Sequence, residues 1–117
     1  MTTALRDAEP KVRAQAAWAL GMIEDRAAVS GLAEALKDDM PKVRKQSAWA
    51  LGMIEDSRGV EPLTVALRDT EPKVREQAAW ALGMIGDHRA LDALAHAMKD
   101  ESPKVRKQAI WAIGMIR

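Results

Sequence analysis

The chain has 117 residues, with 18 Lys plus Arg against 17 Asp plus Glu, and a formal charge of +1. That balance supplies no global field toward nucleic acid or anionic membrane, and the absence of Cys excludes a disulfide framework and a thiolate metal site. No apolar run approaches the ~20 residues needed to span a bilayer, and the opening MTTALRDAEP lacks the apolar stretch of a secretory leader. The lack of Cys fits a reducing compartment such as the cytoplasm without establishing it. The 4 Trp are the only aromatic residues, as Phe and Tyr are absent. A core must therefore be built from Leu, Ile, Val, Ala and Met, leaving Trp for another task.

In chain order, residues 1–8 read as the tail of a helix whose beginning is missing. From Pro10 runs PKVRAQAAWALGMIED, which returns as PKVRKQSAWALGMIED from Pro41, PKVREQAAWALGMIGD from Pro72 and PKVRKQAIWAIGMIR from Pro103. A fixed offset of this size marks a stacked array in which no unit buries its apolar face alone. The units are approximately 1–25, 26–56, 57–87 and 88–117, and together they form one array over 1–117. Between the Pro-led helices, here B, lie helices A, expected at about 26–37, 57–68 and 88–99. Their apolar positions are Val29, Leu32, Ala33 and Leu36, then Val60, Leu63 and Leu67, then Leu91, Leu94, Ala95 and Met98. Such i, i+3, i+4, i+7 spacing makes one apolar stripe. Asp25, Asp56 and Asp87 are natural N-caps, and Pro62 falls where a lost N–H costs least. The B helices are expected at 10–23, 41–54, 72–85 and 103–116, each opened by Pro after an acidic turn. Short connections make neighbouring helices antiparallel. The fold class is therefore all-α: an α-solenoid of antiparallel helix pairs with a truncated first repeat and no terminal caps.

The unit's Pro, Val-Arg, Ala-Ala, Ala-Leu-Gly and Ile-Gly-Asp pattern resembles the HEAT-like repeats first noted in phycobilisome lyases. It is also similar to artificial HEAT-type binding libraries. The resemblance covers essentially the whole chain and implies a right-handed superhelix. It further implies a structural ladder between repeats, with Asp7, Asp38, Asp69 and Asp100 matching its Asp, and Arg13, Arg44, Arg75 and Arg106 its Arg. Glu24 and Glu55 depart from the pattern, which prefers the Gly seen at Gly86. Arrays of this kind also occur within larger bacterial proteins, including some BlaR-type membrane metallopeptidases.

On a wheel of ~100° per residue, Val12, Ala16, Ala19, Leu20 and Ile23 form a core stripe. Trp18 falls about 150° from its centre, with Lys11, Met22 and Gln15 on the same outward side. In a two-helix solenoid that side is the concave surface. It carries Trp18, Trp49, Trp80 and Trp111; Met22, Met53, Met84 and Met115; Gln15, Gln46, Gln77 and Gln108; and Lys11, Lys42, Lys73 and Lys104. Trp and Met are enriched at protein interfaces, so this ribbon is the candidate partner-binding surface; the plainer reading is an indole ladder that extends the core. Gly21, Gly52, Gly83 and Gly114, with Ala17, Ala48 and Ala79, form a small-residue flank suited to close approach of the next repeat. Ile110 replaces the alanine in the last unit.

His88 and His96 lie eight apart with no third ligand nearby. The His-Glu pairs of HEAT-type hydroxylases do not occur, and neither a nucleophile set nor a phosphate loop appears. The expected function is a non-catalytic protein-interaction or scaffold module, with no metal and no cofactor. It binds a protein partner or itself, as a homodimer or larger assembly through the ribbon or the open ends. The alternatives are a fragment of a bilin lyase-like or sensor protein, with Trp stacking on the chromophore, and a weak single-stranded nucleic-acid binder. The balanced charge around the lysines speaks against the last.

Overall fold

The computed structural model describes residues 2–116. The helices are α1 (Pro10–Met22), α2 (Val29–Ala35), α3 (Pro41–Ile54), α4 (Val60–Ala66), α5 (Pro72–Ile85), α6 (Leu91–Ala97) and α7 (Pro103–Ile116). No strand occurs among the described residues. The odd-numbered helices are the B series and the even-numbered ones the A series. Proline opens every B helix, where its missing N–H leaves no bond unmade. The aspartate of the preceding turn steers the chain into it. Asp7, Asp38, Asp69 and Asp100 each accept, through Oδ1, the N–H two residues on.

The A helices are shorter in their α portion than the periodicity predicts. Each begins as a 3₁₀ turn, Arg26–Ala28, Ser57–Gly59 and His88–Ala90. Asp25, Asp56 and Asp87 accept the N–H two residues on, which tightens the first turn. The far ends close with i→i+3 bonds, as from Lys37 N–H to the Glu34 carbonyl and from Asp38 N–H to that of Ala35. The stub expected to be the tail of an A helix, Thr2–Arg6, is likewise 3₁₀. At the B-helix ends, Glu55 (φ 58°) and Gly86 (φ 75°) are left-handed, and each donates its N–H four residues back, to Leu51 and Leu82. Glu24 (φ 52°) takes the same conformation after α1.

One contiguous apolar layer runs between the A and B series from Leu5 to Ile116. Leu20, Leu32, Leu51, Leu63, Leu82 and Leu94 are its largest fully buried side chains. In α3 the whole expected stripe is buried: Val43, Ser47, Ala50, Leu51 and Ile54. Ser47 is its one polar member, and its hydroxyl donates to the Val43 carbonyl at 2.8 Å. In α1, by contrast, Val12 and Ile23 are exposed, because no described residue packs over them as the preceding repeat packs over Val43 and Val74. Burial in α6 also differs from the periodicity. Leu94 and Ala97 are buried, whereas Ala95 and Met98 are exposed.

Successive B helices pack closely along their length, while successive A helices meet sparsely, each chiefly through the 3₁₀ turn of the next. The cause is the small-residue flank. A Cβ on Gly21 would lie 2.9 Å from Ala50 Cα, and Gly52 and Gly83 meet Ala81 and Ala112 at the same distance. Close inner helices and splayed outer ones curve the rod, with the B series inside. The molecule measures 36 × 25 × 18 Å.

Candidate functional site

The inner face is built by repetition of one local arrangement. α3, α5 and α7 each carry their Trp on the side facing the preceding B helix, over the glycine where two backbones come together. Trp49 Cζ3 sits 2.7 Å from the place a Gly21 Cβ would occupy; Trp80 stands in the same relation to Gly52, and Trp111 to Gly83. Trp49 and Trp80 are accordingly half-buried and packed against the core, whereas Trp18 and Trp111 are exposed. The indoles do not enter the layer between A and B. They fill the inner edge of each B–B joint and keep one side open to solvent. Met53 and Met84 are likewise half-buried, and Met22 and Met115 exposed.

Between the indoles lies a trough formed by adjoining hollows. One of about 330 Å³ is lined by Lys45, Trp49, Lys73, Glu76, Gln77, Trp80 and Gln108. A second of about 310 Å³ adjoins it through Trp49, Gln77 and Lys45 and continues to Trp18 and Gln46. A third of about 500 Å³ runs on past Gln46 and Trp18 to Gln15, Lys42 and Lys11. Four lysines line the run, Lys11, Lys42, Lys45 and Lys73, against the single acid Glu76. Among the described residues none of these lysines is in an ion pair, and no glutamine amide there bonds within the chain. Lys45 was not a sequence candidate, because Ala14 and Glu76 hold its place in neighbouring repeats.

The arginines and aspartates form a separate set along the turns. Arg13 Nε donates to Asp38 at 2.8 Å and its Nη2 to the other carboxylate oxygen at 3.1 Å. Arg44 and Asp69, and Arg75 and Asp100, repeat that fork. Nη1 of each turns back onto its own repeat, to the carbonyls of Asp7, Asp38 and Asp69. Arg106 makes the backbone half alone, to the Asp100 and Glu101 carbonyls, with no aspartate partner among the described residues. Burial alone would raise the Asp38 and Asp100 carboxyls. The forked arginine and the Met40 or Ser102 N–H outweigh it and hold both below the usual range.

A second ladder on the A side escaped the sequence reading. Arg58 grips Asp56 and reaches back to the Arg26 carbonyl of the preceding repeat, and Arg89 does the same with Asp87 and the Ser57 carbonyl. The arginine hydrogen bonds, with the backbone N–H bonds of Arg58 and Arg89, lower the Asp56 and Asp87 carboxyls. Its only sequence signal is an Asp-x-Arg at 56–58 and 87–89, which the first repeat breaks by placing Arg26 one residue early.

His88 and His96 are exposed, and no cluster of three or more metal-ligating side chains occurs among the described residues. None of the described helices is long and apolar enough to cross a membrane.

The sequence model of the family described as HEAT repeats matches residues 1–69 and 60–117. No curated protein matches by sequence. Among solved structures, the chain is similar to the CpcE–CpcF complex of phycocyanin lyase from Nostoc sp. PCC7120, with 29% identity and a TM-score of 0.86 over 98% of this chain and 51% of that one. It is similar to human deoxyhypusine hydroxylase at 29% identity and a TM-score of 0.85, over 98% of this chain and 41% of that one. A designed armadillo repeat protein in complex with the peptide (KR)4 shares the fold at 23% identity and a TM-score of 0.83, over 99% of this chain and 62% of that one. The chain therefore spans about half the length, or less, of the two natural structures it matches. With the 31-residue period, the stacked helix pairs and the family match extending over the whole sequence, the chain belongs to the HEAT-repeat family.

Proposed function

We propose that the chain is a non-catalytic binding module that takes an extended segment of a partner protein along its inner trough. The observation carrying this is the run of hollows in which indole faces, glutamine amides and unpaired lysines recur along α1, α3 and α5, with Gln108 added from α7. Partly exposed Trp offers flat apolar area at low entropic cost. Glutamine amides, each both donor and acceptor, suit a partner's main-chain N–H and C=O groups. The excess of lysine over acid favours a segment bearing Asp or Glu. The module reading also agrees with membership of a family of curved, stacked repeats that present such surfaces.

The test is selection of peptides from a random library on the immobilised chain, followed by titration against the variants Gln46→Ala, Gln77→Ala and Lys45→Glu. These side chains lie outside the core, so folding is retained. The expected result is acidic peptides whose affinity drops at least tenfold in each variant. Binders indifferent to all three variants, or no binders at all, refute the reading.

A second reading follows from the similarity to the phycocyanin lyase structure, whose length this chain half covers. Here the chain is part of a lyase-like protein and the indoles stack on a bilin. Incubation with bilin would then quench Trp fluorescence and shift bilin absorbance; unchanged spectra dismiss it.

A further inference from the structure

Lys11, Gln15, Trp18 and Met22 of α1 have the same residue types at the matching places of α3, α5 and α7. A segment lying along the trough meets the same side chains again after sliding by one repeat. Those contacts supply affinity without choosing a register. The residue after each Pro-Lys-Val-Arg opening behaves differently. It is Ala14 in α1, Lys45 in α3, Glu76 in α5 and Lys107 in α7, and it is the one place on the B helices where charge changes from repeat to repeat.

This position lies in the trough. Ala14 lines the hollow of about 500 Å³, Lys45 lines all three hollows, and Glu76 lines the one of about 330 Å³ together with Lys45 and Lys73. Glu76 is half-buried and Lys45 exposed. Although they share a hollow, neither is in an ion pair among the described residues. Both charges are therefore open to a ligand, and they are of opposite sign on neighbouring repeats.

We propose that Lys45 and Glu76 fix the register of the bound segment, which carries an acidic residue over Lys45 and a basic residue over Glu76, one repeat further along. This rests on the reading of the trough as a surface for an extended segment. The register follows from sliding that segment. Moved one repeat toward α7, its acid falls on Glu76 and its base on Lys107, so two attractions become two repulsions. Moved one repeat toward α1, its acid exchanges Lys45 for Ala14 and its base falls on Lys45, so one attraction is lost and the other reversed. An exposed charge pair contributes little affinity by itself. Like charges set against each other, however, discriminate between alternatives that are otherwise equal. The constant Lys, Gln and Trp are indifferent to the slide, so the choice of register falls on these two side chains.

The test is charge reversal on both partners. Peptides selected on the immobilised chain carry a fluorescent label, and each charged residue is reversed in turn. Every peptide is titrated by anisotropy against the wild type, Glu76→Lys and Lys45→Glu. Both substitutions lie outside the core, and circular dichroism confirms that the variants fold. The expected result is one basic peptide residue whose change to Glu weakens binding to the wild type at least about threefold, with recovery on Glu76→Lys and not on Lys45→Glu. One acidic residue, changed to Lys, behaves likewise and recovers on Lys45→Glu alone. Selected peptides without a basic residue, reversals that neither variant recovers, or reversals that both recover equally overturn the register while binding through Gln46 and Gln77 stands. Absence of binders, or binders indifferent to Gln46→Ala and Gln77→Ala, overturns the trough reading and the register with it.

Discussion

The same substitution, glycine to alanine, is expected to have opposite signs at two equivalent positions, Gly52 and Gly114. In a helix interior alanine is favoured over glycine by ~1 kcal/mol. At Gly114 no described residue opposes that gain, as nothing beyond its own helix backbone and chain neighbours lies within 4 Å of the new Cβ. Gly114→Ala should therefore stabilise the chain by about 0.5–1 kcal/mol. At Gly52 the Cβ would lie 2.5 Å from Trp80 Cζ3 and 2.9 Å from Ala81 Cα. The indole can swing away, but the Cα belongs to a helix axis, so α3 and α5 must separate. Forcing extra volume into a packed joint costs about 1–3 kcal/mol, set against the propensity gain of ~1 kcal/mol, and the displaced Trp80 loses contacts as well. The net expectation for Gly52→Ala is destabilisation of ~1–2 kcal/mol. Urea unfolding followed by Trp fluorescence at low micromolar concentration measures both, with equal m-values required for the comparison. Trp80 emission in the native Gly52→Ala protein should also shift to the red. If both variants move stability in the same direction, the close approach of the B helices is not what the glycines provide.

Glu55→Gly should stabilise by about 0.5–1 kcal/mol, because a non-glycine residue at φ 58° carries the left-handed penalty that Gly86 avoids; thermal melts of Glu55→Gly and Gly86→Ala should move oppositely. Arg44→Ala removes the fork to Asp69 and the bond to the Asp38 carbonyl, and should cost ~2 kcal/mol in denaturant unfolding, with Lys in its place recovering under half. Asp38 and Asp100 are held below their usual 3.8, so the unfolded chain binds protons first as pH falls. Their stabilisation is complete above about pH 5 and is lost progressively below about 4; the melting temperature should be flat from pH 7 to 5 and then fall, less steeply in Asp38→Asn.

The period alone exposed the architecture, since each 31-residue unit must find its core partner in its copies. The helical wheel placed the core stripe of α3 residue by residue and put Gly and Ala on the flank that meets the next repeat. It treats all copies alike, however, so it could not separate exposed Val12 from buried Val43; that difference is made by a neighbouring repeat. The wheel put Trp on the outward surface, whereas a stacked helix also has a flank toward the preceding repeat, and the wheel gave that flank no large side chain. Trp49 occupies that flank, between helices, which is why it is half-buried while lying far from the stripe centre. The 3₁₀ starts of the A helices were not legible, because three residues cannot distinguish an i+3 from an i+4 pattern. The Arg58 and Arg89 ladder was hidden for a different reason. An exposed arginine in a turn is ordinarily solvated, and only the fold brings it to the carbonyl of the repeat before.

Trp49 and Trp80 each serve a joint with one face and the trough with the other, so on the proposed reading stability and recognition are coupled through them, but not through the glutamines and lysines. On that reading the joint also sets the partner's geometry. Packed helices stack ~8–10 Å apart. A segment in the polyproline II conformation advances ~9.3 Å for every three residues and returns the same face each time. A β-strand, with its face repeating every two residues or ~6.6 Å, falls out of step after one repeat. An extended partner held by successive Trp, Gln and Lys sets should therefore contact the trough with every third residue. Alanine scanning of a selected peptide should show sensitive positions spaced by three; spacing by two would mean that the trough reads a strand, and that the repeat spacing plays no part in recognition.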